Sequence, residues 1–455
     1  MFSSYDQQWL EEQIETWRGY LRRRQAIRTA DVAELEDHLR GVLEELMASG
    51  LAADEAFLVA IRRMGNLDAL SREFAREHSE RIWKQFVIGS VDQKEDTKRW
   101  TDAAAAFGFA ILAALLVKAP ALLESLWDVP AGFYIRNASL LIFPALIGYF
   151  IWKRKLPQSV ILGLTAVFVA GVLFANVYPF HPAGSTESLT GMHLPIALWL
   201  AVGVAYTGGR WQDWARRMDF VRWSGELFIY YVLIALGGGV LTAVMTLIFT
   251  TIGIDVRPFF ASWLLPCGAA GAVIVSSWLV EAKQSVIENM APVLSRLFTP
   301  LFAAVLLAFL TALLARGGGV DISRDALIAF DLLLAVVLGL VLYSISARDP
   351  DAQPDMLDIL QVVLLLSAIL ADAVALWAIV ARISEFGWSP NRVAALGENL
   401  ILFANLTGSA VFYARFLRGR ASFSALERWQ TAYLPVYALW AAVVVLFFPP
   451  VFGYI

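Results

Sequence analysis

Hydrophobic and polar positions follow two different patterns along this chain, and the change comes near residue 101. Beyond it the apolar residues form long, nearly uninterrupted runs, at about 103–125, 135–152, 159–177, 193–208, 227–253, 259–281, 293–315, 325–346, 357–381, 396–417 and 432–451. Most meet the roughly 20 residues that an α-helix needs to cross a 30 Å hydrocarbon layer. Eleven spans are therefore expected. The fourth run is the shortest, and removing it from the count would invert the topology of everything that follows.

Before residue 101 the pattern is amphipathic instead. Trp9, Ile14, Trp17 and Leu21 recur at helical spacing over about 5–25, and Leu35, Leu39, Leu43 and Leu46 form one stripe that stops at Gly50. A third helix, from about Ala53 to Met64, turns Phe57, Ala60, Ile61 and Met64 inward and is followed by Gly65. Asp54 and Glu55 suit the positive end of its dipole, and Arg62 and Arg63 the negative end. A fourth starts near Asp68, buries Leu70 and Phe74, and continues through Ile82, Trp83 and Phe86 toward the apolar half. Its charged run of Arg72, Glu73, Arg76, Glu77, Glu80 and Arg81 reads as a solvated face with i,i+4 pairing. The fold class is thus all-α: a small cytoplasmic helical bundle over 1–88, a linker over 89–101 and a polytopic membrane domain over 102–455.

Composition agrees with that division. Hydrophobic residues make up 58% of the 455 and charged ones 17%, against roughly 45–50% and 25% in soluble proteins; mean hydropathy is +0.62. Residues 1–100 carry fifteen Lys/Arg against nineteen Asp/Glu, so no basic face is available and direct nucleic-acid binding is not expected. The single cysteine, Cys267, excludes an intrachain disulfide framework. No cleavable leader pattern opens the sequence, which leaves targeting to the first span.

The stretch 35–75 resembles the HAAS signalling domain, also called the permease prefix domain, which precedes membrane segments in many bacterial proteins. The resemblance rests on Leu35, His38 and Leu39, on Gly50 and Leu51 at the turn, on Glu55, Ala56 and Phe57 opening the third helix, and on Arg62 and Gly65 closing it. It implies a cytoplasmic regulatory or interaction module and not an enzyme. The segment 382–392, RISEFGWSPNR, is similar to a motif of an uncharacterised family of bacterial multi-spanning membrane proteins, and the likeness extends loosely over the last 200 residues.

Orientation follows from the loops. With residues 1–100 inside, the inner loops hold Lys153, Arg154, Lys155, Arg210, Arg216, Arg217, Arg222, Lys283, Arg296, Arg348, Arg415, Arg418, Arg420 and Arg428, fourteen in all. The outer loops hold six: Arg136, Arg257, Arg316, Arg324, Arg382 and Arg392. This bias predicts a bacterial inner-membrane protein with its N-terminus in the cytoplasm and its C-terminus outside. Trp127, Trp152, Trp211, Trp214, Trp388 and Trp429 at segment ends fit the interfacial belts.

Ionisable residues inside spans are costly and therefore candidates for function. Lys118, Asp331, Asp372 and Glu398 qualify, and the assigned topology sets all four in the outer half of the bilayer, consistent with one polar pocket or with a structural pair of Lys118 and Asp372. In the loop before the tenth span, Arg382, Glu385, Asn391 and Arg392 form a second candidate, either a structural clamp or a site for an anionic group, with Ser389–Pro390 as a helix-start signal. Pro120, Pro144, Pro266, Pro300 and Pro435 lie in or near apolar runs, where each removes a backbone donor. Gly237–Gly239 in the fifth run suits close helix packing or an unwound gating point. No GxxxxGK[ST], HExxH or CxxC occurs, so no cofactor and no metal are implied; His181, Glu187 and His193 are the nearest to a metal set.

Two functions remain open from the sequence. The first is a signalling or regulatory protein that couples a membrane domain to a cytoplasmic protein partner through 1–88. The second is a permease-like transporter or channel component for a small solute or lipid. Membrane lipid is the expected partner of the rest of the chain.

Overall fold

The structure is a computed structural model and describes residues 9–11, 13–15, 29–64, 92–123, 132–251, 254–282, 290–315, 324–350 and 352–455. Helix is the only regular secondary structure among them. The chain divides into two compact units, 1–101 and 102–455.

In the first unit α1 (Thr29–Ala48) and α2 (Ala53–Met64) pack antiparallel around Leu39, Leu43, Leu46, Ala56, Phe57 and Ala60, joined by Leu10 and Ile14 from the helical residues before them. Trp9 meets Phe57 edge to face at 6.0 Å. Gly50 ends α1 with φ +95°, a conformation that costs any residue with a β-carbon. Arg40 grips both oxygens of Glu11, at 2.6 and 2.9 Å, and also bonds Glu36. Trp17, Leu21, Leu70, Phe74, Ile82, Trp83, Phe86 and the 72–81 charged run lie outside the described residues.

Among the described residues the second unit consists of apolar helices, the first of which begins just before it. They are α3 (Asp92–Leu122), α4 (Phe133–Arg154), α5 (Gln158–Val177), α6 (Ser185–Tyr206), α7 (Trp214–Thr251), α8 (Arg257–Ala282), α9 (Met290–Ala315), α10 (Arg324–Ala347), α11 (Met356–Phe386), α12 (Pro390–Leu417) and α13 (Phe423–Val451). Among the described residues nine are long and apolar enough to cross a membrane, while α9 and α10 contribute the shorter apolar stretches 297–308 and 331–347. Residues 92–101, expected as a linker, are the first turns of α3. The short fourth run belongs to a 22-residue helix, because polar residues from Ser185 onward extend α6 beyond its apolar part.

Two cores organise these helices. One gathers α3, α4, α6, α7 and α8, with Trp199, Tyr206, Phe220 and Trp223 stacked at centroid distances of 4.9–6.0 Å. The other gathers α9–α13 around Leu306, Leu334, Val341, Leu364, Leu406 and Phe423. Gly397 and Gly408, three turns apart on α12, leave notches filled by the Trp440 and Trp429 rings of α13, where even a methyl group would collide. At Gly237–Gly239 the helix is unbroken and an added β-carbon would meet nothing within 4 Å, so neither the unwinding nor the close packing expected there occurs among the described residues.

Polar contacts between loops define the two ends of this unit. At one, Arg348 lies over the rings of Phe416 and Phe423, Arg222 bonds the Ser346 carbonyl, Arg428 covers Trp214, and Lys153 and Arg154 hold Glu281. At the other, Asn391 bonds Ser185, Tyr178 bonds the Leu446 carbonyl, and the Thr186 amide donates to the Ile455 carbonyl.

Candidate functional site

Lys118 is engaged by backbone, not by an acid. Ala110, Ala114 and Lys118 recur every fourth residue on one face of α3 and meet Gly271, Cys267 and Ser262 of α8 in descending order. Lys118 Nζ donates to the Ser262 carbonyl at 2.7 Å and sits 4.5 Å from the centre of the Trp263 ring. The reason lies four residues on: Pro266 has no N–H to return to Ser262, and α8 widens into a π-turn over Phe260–Leu264 just before it. The ammonium supplies the donor that the proline removed.

The acids gather on the other core. Near the N-terminal part of α12, Asn399 Nδ2 donates to Asp331 Oδ1 of α10 at 2.9 Å and to its own helix at Ala395, while the preceding Glu398 meets His193 of α6 at 2.5 Å. His193 Nδ1 lies 2.8 Å from the Leu189 carbonyl, which can only accept. That nitrogen therefore donates to the carbonyl, and Nε2 is the ring nitrogen that faces Glu398. Glu398 is partly exposed, whereas His193 is buried.

Asp372, in the middle of α11, differs from the others. It is 0% exposed, and neither carboxylate oxygen has a hydrogen-bond partner among the described residues. The charges of Asp331 and Asp372 lie within electrostatic reach of each other, as do those of Asp331 and Glu398. Asn399 Oδ1 and the Tyr437 hydroxyl are also buried without a partner among the described residues, and Tyr437 lies within electrostatic reach of Asp372. A bare carboxylate in such surroundings costs several kcal/mol, so the place calls for a proton, a metal cation or water.

The loop candidate is pinned at several points. Arg392 donates to the Phe386 and Gly387 carbonyls at 3.0 and 2.8 Å, which closes the end of α11, and Asn391 ties α12 to α6. Arg382 covers the Phe386 ring, and Glu385 is exposed. Glu187 forms an ion pair with Arg136 and accepts from the Ala183 amide. Among the described residues no group of three metal-ligating side chains occurs.

No protein-family model, curated protein or solved structure matches the chain. The site has to be read from its own chemistry.

Several groups escaped the sequence reading. Asn405, Gln430 and Ser409 form a fully buried chain of side-chain hydrogen bonds between α12 and α13, at 3.1 and 2.5 Å. Asn391, Glu398 and Asn405 are spaced by seven, a signal of one polar stripe on α12 that was available. Arg348 makes a two-pronged contact with buried Asp358 at 2.8 and 2.9 Å, and Asp358 in turn bonds the Asp355 amide in a capping box. No periodicity announces that pair, because both residues flank a loop.

The Lys118 geometry predicts a specific rescue. Lys118→Met should lower stability by about 1–3 kcal/mol by leaving the Ser262 carbonyl without its donor, and adding Pro266→Ala, which restores an N–H, should recover most of the loss. Thermal unfolding of the four proteins in detergent measures the coupling. Purely additive losses would show that the carbonyl is not what Lys118 serves.

Proposed function

We propose that the chain is a permease-like membrane protein in which a small cation, either a proton or an alkali ion, binds at the Asp331–Asp372 carboxylates and drives or gates movement through the helical bundle. The observation that carries this reading is Asp372, wholly buried in an apolar helix and unpartnered among the described residues. A structural acid is normally matched by a cation or by several donors. Asp331 and Glu398 have partners at hand, which leaves Asp372 as the group whose occupancy changes. Glu398, within electrostatic reach of Asp331 and bonded to His193, would extend the polar groups of this site toward α6.

The remainder of the architecture enters the proposal on sequence grounds. Counting the full lengths of α9 and α10 gives eleven crossings, and the excess of Lys and Arg at the end that holds Arg348 makes that end cytoplasmic in a bacterial inner membrane. Residues 1–88 then lie in the cytoplasm as a regulatory module of the permease prefix type, with a protein partner; its separate apolar core favours an interaction role. An impermeant thiol reagent applied to intact cells should miss Ser422→Cys and label Ser188→Cys, and the reverse pattern would overturn the orientation.

Cation binding is tested without knowledge of the cargo. A ligand that binds only the folded protein raises its melting midpoint in proportion to the logarithm of its concentration. The wild-type midpoint should therefore depend on Na⁺ or on pH more steeply than that of Asp372→Asn. Equal dependence in the two proteins would remove the site.

A further inference from the structure

Three arginines at the end of α12 surround one pocket that contains no acid. Arg415 is in the last turn of the helix and Arg418 is its C-cap. Gly419, at φ +64°, then turns the chain so that the Arg420 amide donates to the Arg415 carbonyl at 2.8 Å. The reversal brings the three residues around a cavity of about 320 Å³ whose remaining wall is Val411 and Ala414. None of the three guanidinium groups has an ion-pair partner among the described residues. At the same end Lys153 and Arg154 meet Glu281 and Arg348 meets Asp358, whereas Arg222 bonds a carbonyl and Arg428 covers a ring.

Three exposed guanidinium groups ring one open hollow, where an anion with several acceptor oxygens can meet more than one of them; guanidinium forks suit a phosphodiester in particular. The rest of the pocket specifies what the anion is attached to. Val411 is 44% exposed and apolar, and it lies toward the middle of α12 from the arginines. A free anion would leave that wall bare, whereas a lipid covers it with an acyl chain. We propose that this pocket binds the phosphodiester headgroup of an anionic phospholipid, with the chain descending along Ala414 and Val411. The inference rests on the reading of α12 as a membrane-crossing helix and is independent of the cation site.

The test uses the full-length protein in nanodiscs of phosphatidylcholine containing a minor fraction of phosphatidylglycerol, released into the gas phase to count the lipids retained. Wild type should retain phosphatidylglycerol preferentially. Arg418→Gln and Arg420→Gln should each cut that preference by about fivefold, and the triple variant with Arg415→Gln should abolish it. Arg428→Gln, outside the pocket, and the charge-preserving Arg418→Lys should retain most of it; the exposed single variants guard against misfolding of the triple one. Equal retention of the two lipids by wild type, or full preference in the triple variant, would overturn the proposal. So would displacement of phosphatidylglycerol by millimolar inorganic phosphate, which would make this a free-phosphate site. If the protein fails to enter nanodiscs at all, the membrane reading fails and takes this inference with it.

Discussion

A hydrocarbon layer offers no water to a freed carbonyl or an isolated charge, so every polar group that an apolar helix carries must find its partner on another helix. The second unit can be understood as a set of answers to that constraint. Pro266 frees the Ser262 carbonyl, and α3 supplies Lys118. Asn405 Nδ2 is buried in α12, and α13 supplies the Gln430 carbonyl oxygen to it. Asp358 is buried at the start of α11, and the preceding loop returns Arg348 to it beneath two aromatic rings. Each pairing fixes which helices are neighbours and in what register, a specificity that apolar packing alone supplies weakly.

Asp372, with both carboxylate oxygens buried and unpartnered among the described residues, departs from this pattern, and the proposed function grows from it. Asp331 and the Tyr437 phenol lie within electrostatic reach of it, and none of the ion pairs among the described residues includes it. An arrangement that buries a carboxylate with both oxygens unpartnered among the described residues is costly as pure structure. It is reasonable as a site whose occupant comes and goes.

The apolar runs made the helices legible, since a run of about twenty such residues has few other uses. Helix ends were less so: polar residues extend α6 back to Ser185, and α3 continues through the expected linker. At the site, Asp331, Asp372 and Glu398 stood out as ionisable residues in apolar surroundings, and so did Lys118. What hydropathy does not encode is the partner. The acceptor for Lys118 is a backbone carbonyl, invisible in composition, and the partner of Glu398 is a histidine two hundred residues earlier. Gly237–Gly239 teaches the converse, because small residues permit close packing without enforcing it, and here no neighbour takes the space within 4 Å.

The central claim is that the occupancy of Asp372 changes with the cation supplied. Infrared difference spectroscopy on the reconstituted protein reads this directly, by switching pH or Na⁺ and assigning bands through Asp372→Asn. The account predicts a carboxyl band that shifts on the switch in wild type and is missing from the variant. Identical difference spectra for the two proteins would contradict it.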